Sequence, residues 1–261
     1  NKQTSSDIDI FPPPSPSSSS LTKTSSNRFL FSHVAEKDKV IVRLSNTLQA
    51  MREATAFQLH RSYPVIENGS EQSREPELAW ANGTQIVTVS YSSTSNTLPS
   101  WLNSAKFMEN GGCGYVLKPD WMLSDNYWPK KTSGKELELT ILSARQLPKQ
   151  AHDVVDPFVK VRICGPDATD TTLMTKVINN NGWDPVWNQE FHLILKVPEL
   201  DFLVFSVHDK DTIGGSLLAQ TVISIPLLKE GIRACPLQGL SRELLDGSHL
   251  LIKTTMKQLK Q

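Results

Sequence analysis

From Lys135 to the C-terminus the chain repeats short runs of alternating apolar and polar residues and contains nothing with a helical period. No other feature limits the fold as much. Leu137, Leu139 and Ile141 alternate with Glu136, Glu138 and Thr140, the pattern of a strand with one buried face. Similar runs lie at 158–163, 173–177, 190–197, 202–207, 222–225 and 250–254, separated by Pro, Gly, Asn and Asp. Many short strands joined by turn residues, with no helix between them, predict an all-β antiparallel sandwich. Such a region should hold its own core and fold alone when cut near Lys131.

The preceding region reads differently. A short strand expected at 29–31 is followed by a helix over 38–54, with Ile41, Leu44, Leu48 and Met51 on one face. A second strand is expected at 57–63, stopped by Pro64, then a polar loop with Asn68-Gly69 and a helical turn over 76–80. Residues 86–89 are nearly all β-branched, as in a parallel strand covered on both faces. A helix over 100–109 carries Trp101, Ala105 and Met108, and Tyr115, Val116 and Leu117 read as a last buried strand. About four β units with helical crossovers make an α/β half of a (β/α)₈ barrel of the TIM type. A parallel half-barrel leaves strand edges open and calls for a second half. The organisation expected is a Ser/Pro-rich disordered linker over 1–26, the half-barrel over 27–128 and the sandwich over 129–261.

Between the two regions stands Asn110-Gly111-Gly112-Cys113-Gly114-Tyr115-Val116-Leu117-Lys118-Pro119. Its glycines accept positive φ without steric cost. No Lys-Ser/Thr pair follows them and no helix is expected after them, so a structural turn is the reading rather than a phosphate cradle.

With 27 basic and 27 acidic side chains the formal charge is zero, which excludes the global basic field of a nucleic-acid binder. No apolar run approaches the ~20 residues of a membrane span, and the first residues lack the layout of a signal peptide. Cys113, Cys164 and Cys235 are odd in number and lack metal-type spacing, so reduced thiols in a cytosolic protein are expected.

Two constellations carry chemistry. Asp156, Asn180, Asp209 and Asp211 all fall in loops between sandwich strands, where side-chain oxygens converge on one end of the fold. Calcium takes six to eight oxygen ligands, so this set points to Ca2+. Val154, Val155 and Ile213 in the same loops either dip into a membrane interface or pack against each other. In the first region, Arg61-Ser62-Tyr63-Pro64 joins a guanidinium suited to phosphate with a ring suited to an apolar sugar-like face. The histidines (His33, His60, His152, His192, His208 and His249) are scattered, so no acid–base pair is assigned and no catalytic residue is expected in these residues.

The glycine-rich block, Arg-Ser-Tyr-Pro, Pro76-Glu77-Leu78-Ala79-Trp80 and Asn82-Gly83-Thr84-Gln85-Ile86-Val87 resemble the Y half of the catalytic barrel of phosphoinositide-specific phospholipase C. Val155 to Val161, Asn181 to Trp187 and the Asp209-Lys210-Asp211 step resemble the C2 domain that follows it in that family. The resemblance implies an enzyme of signalling that cleaves phosphatidylinositol 4,5-bisphosphate to diacylglycerol and inositol 1,4,5-trisphosphate. It implies that Arg61 contacts an inositol phosphate, Tyr63 packs on the ring and Ser32 touches substrate, with Asp156, Asn180, Asp209 and Asp211 as calcium ligands. The family's catalytic histidines and catalytic calcium ligands belong to the X half, which these residues do not contain. The X half, on the same product or a separate chain, is therefore an expected partner, beside phosphoinositide lipids. The chain alone should be inactive, and the location implied is cytoplasmic, peripheral at the inner face of the plasma membrane. The sequence departs from the family where Leu30 precedes Phe31-Ser32, where an Asp-Ser-Ser-Asn-Tyr run is missing before Pro76, and where no acidic residue follows Asp211 closely. The alternative is a non-catalytic calcium- and phospholipid-binding protein that keeps a remnant of the barrel.

Overall fold

The alternation of the C-terminal region is realised as antiparallel strands in a computed structural model of the chain. The structure describes residues 50–63, 65–67, 70–72, 75–91, 98–123, 134–148, 154–169, 171–210 and 215–259. The strand expected at 29–31, most of the helix over 38–54, and Ser32, His33, His152, Asp211 and Ile213 lie outside these residues.

In chain order the N-terminal region has helix α1 (50–57), strands β1 (Arg61–Ser62), β2 (Val65–Glu67) and β3 (Ser70–Gln72), helix α2 (Pro76–Ala81), strand β4 (Ile86–Val87) and helix α3 (Leu98–Phe107). β1 and β4 are parallel, Arg61 opposite Ile86 and Ser62 opposite Val87. This pair is the parallel element that the βα pattern predicts, but its strands are shorter than expected. Phe57 belongs to α1 and is 91% exposed, so the second strand begins at Arg61 rather than at 57. Tyr115 and Leu117 form no ladder and are 67% and 84% exposed, against the expectation of a buried strand. A parallel strand is held by neighbours on both sides, and no described residues flank this segment with a strand. The polar loop is in fact an antiparallel hairpin, β2 against β3, whose strands are separated in sequence by Asn68-Gly69, a pair that favours tight hairpin connections.

α3 ends as its sequence dictates. A short 3₁₀ turn, Met108–Asn110, follows, and Gly111 (φ 64°) and Gly112 (φ 79°) take the left-handed conformation. Their N–H groups donate to Met108 O (3.1 Å) and Phe107 O (3.0 Å). The glycines thus close a helix end on its own carbonyls, and the reading of a structural turn holds. On α3, Trp101 and Ala105 are buried as expected, but Met108 is exposed and Leu102 takes its place in the interior.

The C-terminal region comprises β5 (Lys135–Arg145), β6 (Pro157–Cys164), β7 (Thr172–Met174), β8 (Val186–Leu195), β9 (Phe202–Asp209), β10 (Ser216–Ser224), β11 (Gly231–Gln238) and β12 (Leu244–Gln258). β11 was not anticipated, because Gly231 and Pro236 interrupt its pattern. The strand order is β7-β6-β9-β10-β11-β12-β5-β8, every pairing antiparallel. β10 and β11 share a single pair, Gln220 with Gln238, so the strands form two four-stranded layers. Leu137, Leu139 and Ile141 of β5 face Val159, Val161, Phe205 and Val207 across the layers, all 0% exposed. Filling this space with apolar side chains contributes roughly 1.5–3 kcal/mol for each large one.

The sandwich does not keep all its apolar surface to itself. Leu102 and Ala105 of α3 share a buried cluster with Cys164, Phe202 and Val204 on the outer face of β6 and β9. Ala81 and Met122 share another with Val197 and Leu200. The Trp80 ring lies 5.9 Å from that of Phe202. The two regions are therefore sealed along a common seam.

Candidate substrate and metal sites

Arg61 and Tyr63 are placed by a network that begins in the Asn82–Gln85 turn. Asn82 closes the C-terminal end of α2, its Nδ2 donating to Leu78 O (2.8 Å) while its Oδ1 accepts from Arg52 Nε of α1 (3.2 Å). Gln85 reaches back with Nε2 to Thr55 O (2.7 Å), and its Oε1 accepts the His60 N–H (2.8 Å). Lys118, just past the glycine turn, donates to the same Thr55 carbonyl (2.8 Å), and burial lowers its pKa. These bonds fix the entry to β1, so Arg61 rides on the strand and Tyr63 follows it at the carboxyl end. The Arg61 guanidinium stands 4.7 Å from the centre of the Tyr63 ring. Both side chains are exposed, Tyr63 at 66%. A cation and an aromatic face at the carboxyl end of a parallel strand is where barrel enzymes place substrate-binding groups. Such a pair can hold a phosphate and cover the face of a ring. Ser32, the third candidate, lies outside the described residues.

At one end of the sandwich the structure brings three of the four candidate metal ligands together. Asp156 precedes β6 and Asp209 ends β9, opposite Pro157. Asp209 Oδ1 accepts the Asp156 N–H (2.7 Å), and Asp156 Oδ1 accepts the Asn180 N–H (2.6 Å). Asn180 is held there in the left-handed conformation, φ 54°. Asp211 is outside the described residues. The donors are hard oxygens, the right type for calcium, and each carboxylate has a second oxygen beyond the one engaged by a backbone N–H. Two carboxylates and an amide are fewer ligands than calcium takes, and among the described residues no group of three or more His, Cys, Asp or Glu is placed to hold a metal.

The loop valines separate. Val155 is 4% exposed, and a Cβ placed on Gly182 would lie 2.9 Å from its own Cβ, so it packs inside. Val154 is 53% exposed. Trp183, which the sequence shows only as part of a family motif, is 68% exposed in the neighbouring loop.

Of the described histidines, His192 and His208 lie on the sandwich, away from β1. His192 lies beside Glu136 and Glu190 on the sandwich surface, at 3.6 and 3.7 Å. His208 stacks on Phe158 at 5.3 Å, its pKa lowered by burial and by Lys160. The three cysteines are free thiols, Cys164 and Cys235 buried and Cys113 exposed. Among the described residues no helix is long and apolar enough to cross a membrane.

Polar groups lock the seam between the regions. Lys106 Nζ donates to Glu199 O (2.9 Å) and pairs with Glu109 (2.9 Å). The Ser224 hydroxyl donates to Glu109, and Arg242 donates to Ser100. Two carboxyls are buried beside these contacts. Burial pushes Glu77 up to about 7, opposed by a backbone hydrogen bond and Arg162. Burial likewise pushes Asp201 up to about 7, although its Oδ2 accepts the Val197 N–H at 3.0 Å.

Comparison with known proteins follows the same division. Residues 15–121 match the family described as phosphatidylinositol-specific phospholipase C, Y domain, and residues 135–235 match the C2 domain. A 1-phosphatidylinositol 4,5-bisphosphate phosphodiesterase of Dictyostelium discoideum is 32% identical over 251 residues, covering 91% of this chain and 31% of that protein. The human 1-phosphatidylinositol 4,5-bisphosphate phosphodiesterase eta-2 is 33% identical over 196 residues, 70% of this chain and 14% of its own length. The chain thus spans at most 31% of either relative. The crystal structures of PLC21 from L. pealei and S. officinalis superimpose with TM-scores of 0.71 and 0.72 at 23% identity, each over 85% of this chain and 29% of theirs. That likeness shows the fold, a half-barrel followed by an antiparallel C2 sandwich. By sequence and by fold, the chain carries the Y domain and the C2 domain of the phosphoinositide-specific phospholipase C family.

Proposed function

We propose that these residues are the Y and C2 portion of a phosphoinositide phospholipase C that hydrolyses phosphatidylinositol 4,5-bisphosphate to diacylglycerol and inositol 1,4,5-trisphosphate. The observation that carries this reading is the Arg61 guanidinium set over the Tyr63 ring at the carboxyl end of β1. Arg61 binds a ring phosphate through its planar fork, Tyr63 covers the inositol face, and Ser32 adds a hydroxyl contact. Acid–base catalysis and the catalytic calcium belong to an X half that completes the barrel. Residues 1–261 by themselves do not turn lipid over.

The C2 domain serves calcium-dependent docking on a membrane. Asp156, Asn180, Asp209 and Asp211 hold Ca2+, which offsets their charge and lets the loop end approach anionic lipid. The protein acts in intracellular signalling, peripheral to the inner face of the plasma membrane. The exposed apolar side chains of the Y region, Phe57, Leu59 and Leu117 among them, support a missing neighbour. Replacing Arg61 tests the reading in a protein supplied with an X half. A charge-assisted contact is worth about 1.5–3 kcal/mol, so Arg61→Ala should lose roughly one to two decades more rate on the bisphosphorylated lipid than on phosphatidylinositol. Equal loss on both would assign Arg61 to the scaffold or to the scissile phosphate.

The two-residue length of β1 and β4 favours the second reading, a calcium- and lipid-binding protein with a barrel remnant. That reading requires a Y region that stays as it is when an X half is added.

A further inference from the structure

The end of the sandwich that bears Asp156, Asn180 and Asp209 also bears the turn from β11 to β12, residues 239–243. Two backbone bonds close this turn: Gly239 N–H to Glu243 O (2.9 Å) and Arg242 N–H to Gly239 O (3.0 Å). Arg242 sits at φ 69°, a conformation that a long side chain rarely adopts. Such a residue persists where its surroundings over-determine it. Here they are in the Y domain. The Arg242 guanidinium lies 5.0 Å from the rings of both Tyr91 and Trp101. It donates to Ser104 Oγ at 3.2 Å and also to Ser100 Oγ.

The pinned turn presents leucines. Leu240 is 48% exposed and Leu244 is 67% exposed, beside a shallow cleft lined by Pro148, Leu217, Leu218 and Leu245. Val154 and Trp183 are exposed at the same end, on the loops before β6 and β8. Large apolar side chains on two sets of loops therefore flank the carboxylates of Asp156 and Asp209. A protein partner would bring a complementary apolar ridge to a single groove, whereas separate prongs around an anionic, cation-requiring centre suit a lipid interface. Apolar groups enter the acyl boundary there, and the carboxylates would hold a cation that offsets the charge of anionic lipid.

We propose that the β11–β12 turn is a second apolar prong, carrying Leu240 and Leu244 into an anionic bilayer beside the calcium loops, and that Arg242 fixes this prong to the Y domain so that lipid contact orients that domain. The inference rests on the calcium-docking reading above and extends it to a turn that holds no metal ligand. Both leucines are exposed, so replacing them by serine should leave thermal stability as it is.

The test uses the chain of residues 1–261 with vesicles of mixed phosphatidylcholine and phosphatidylserine. In calcium, Leu240→Ser with Leu244→Ser should bind at least about tenfold more weakly than the unmodified chain, since burying two leucines accounts for that much. A second measurement does not depend on loss. An environment-sensitive dye on Leu244→Cys, in a Cys113→Ser background because Cys113 is the exposed thiol, should shift to the blue when vesicles and calcium are both present. A shift from a dye on Trp183→Cys with none from Leu244→Cys, together with unchanged vesicle affinity of the double serine variant, would overturn the prong and leave calcium docking standing. Absence of any calcium response, in sedimentation and from both dyes, would remove the docking reading and this inference with it.

Discussion

The Y and C2 regions are built from similar side chains and solve the same problem in opposite ways. In the C2 region each strand finds its ladder within the chain, up to the ten residue pairs that join β12 to β5. Among the described residues of the Y region the parallel pair joins two residues to two, and Phe57, Leu59, Tyr115 and Leu117 stand 67–91% exposed. Antiparallel strands close on neighbours made by short turns, whereas a parallel barrel closes only when its last strand meets its first. A region of the first kind carries its own conditions for folding. One of the second kind depends on residues elsewhere.

The hardest test of that contrast is to supply the proposed X half. Residues 1–261 alone should show no phospholipase turnover, and adding an X half should raise it by orders of magnitude, because on the proposed reading the acid–base groups belong to that half. Amide exchange should slow at the same time in residues 50–123 and change little in the strands of the sandwich. Turnover by the lone chain, above a control with His33 and His60 replaced, would show that the catalytic groups lie among these residues after all. Exchange in the Y region that ignores the X half would favour the binding-protein reading.

The second test attacks the seam. A C2 fragment cut near Lys131 was expected from sequence to fold alone, but it would expose Phe202, Val204 and Cys164, which the Y region now covers. That fragment should melt well below the intact chain. Phe202→Ala in the intact chain should cost about 3–5 kcal/mol, as for other fully buried aromatics, measured by urea unfolding. A fragment as stable as the whole, or a Phe202 variant losing under 1 kcal/mol, would mean that the regions merely touch.

A third and more local test concerns the loop carboxylates. Asp209→Asn with Asp211→Asn should remove the calcium-dependent part of vesicle co-sedimentation while leaving the calcium-independent part. If both proteins respond equally to calcium, these residues are not the ligands.

What the sequence disclosed follows the same division between the regions. Alternation announces a strand that has one wet face, so β5, β6 and β9 could be placed closely from Leu137-x-Leu139-x-Ile141 and its counterparts. Phe57 and Leu117 misled because an apolar residue announces burial without saying by what. Asn68-Gly69 carries a hairpin signal, but the residues beside it show no alternation long enough to mark strands. At the loop end, oxygen-donor residues were legible from turn chemistry and spacing, and Asp156, Asn180 and Asp209 do meet. Trp183 and the Arg242 clamp were not legible, since exposure and a partner some 140 residues away leave no local pattern. The seam was hidden for the same reason: Phe202 and Val204 look like any strand residues until their outer neighbours are known.

The smallest expected effect probes that seam by pH. Glu77 on the Y side and Asp201 on the C2 side are both raised to about 7 by burial. In the unfolded chain they release their protons near pH 4. Between about pH 4 and 7 the folded state therefore holds protons that the unfolded state has lost, so stability falls as pH rises through this window and levels off above it. Asp201→Asn removes the charge and keeps an oxygen for the Val197 N–H. It should raise Tm at pH 8 by roughly 5 °C, with little change near pH 4. Glu77→Gln should act in the same direction. If the two regions unfold as one body, either substitution shifts a single transition seen equally by probes in both. If they unfold separately, Glu77→Gln will move only the transition of residues 50–123, and the seam will prove too weak to couple the open region to the closed one.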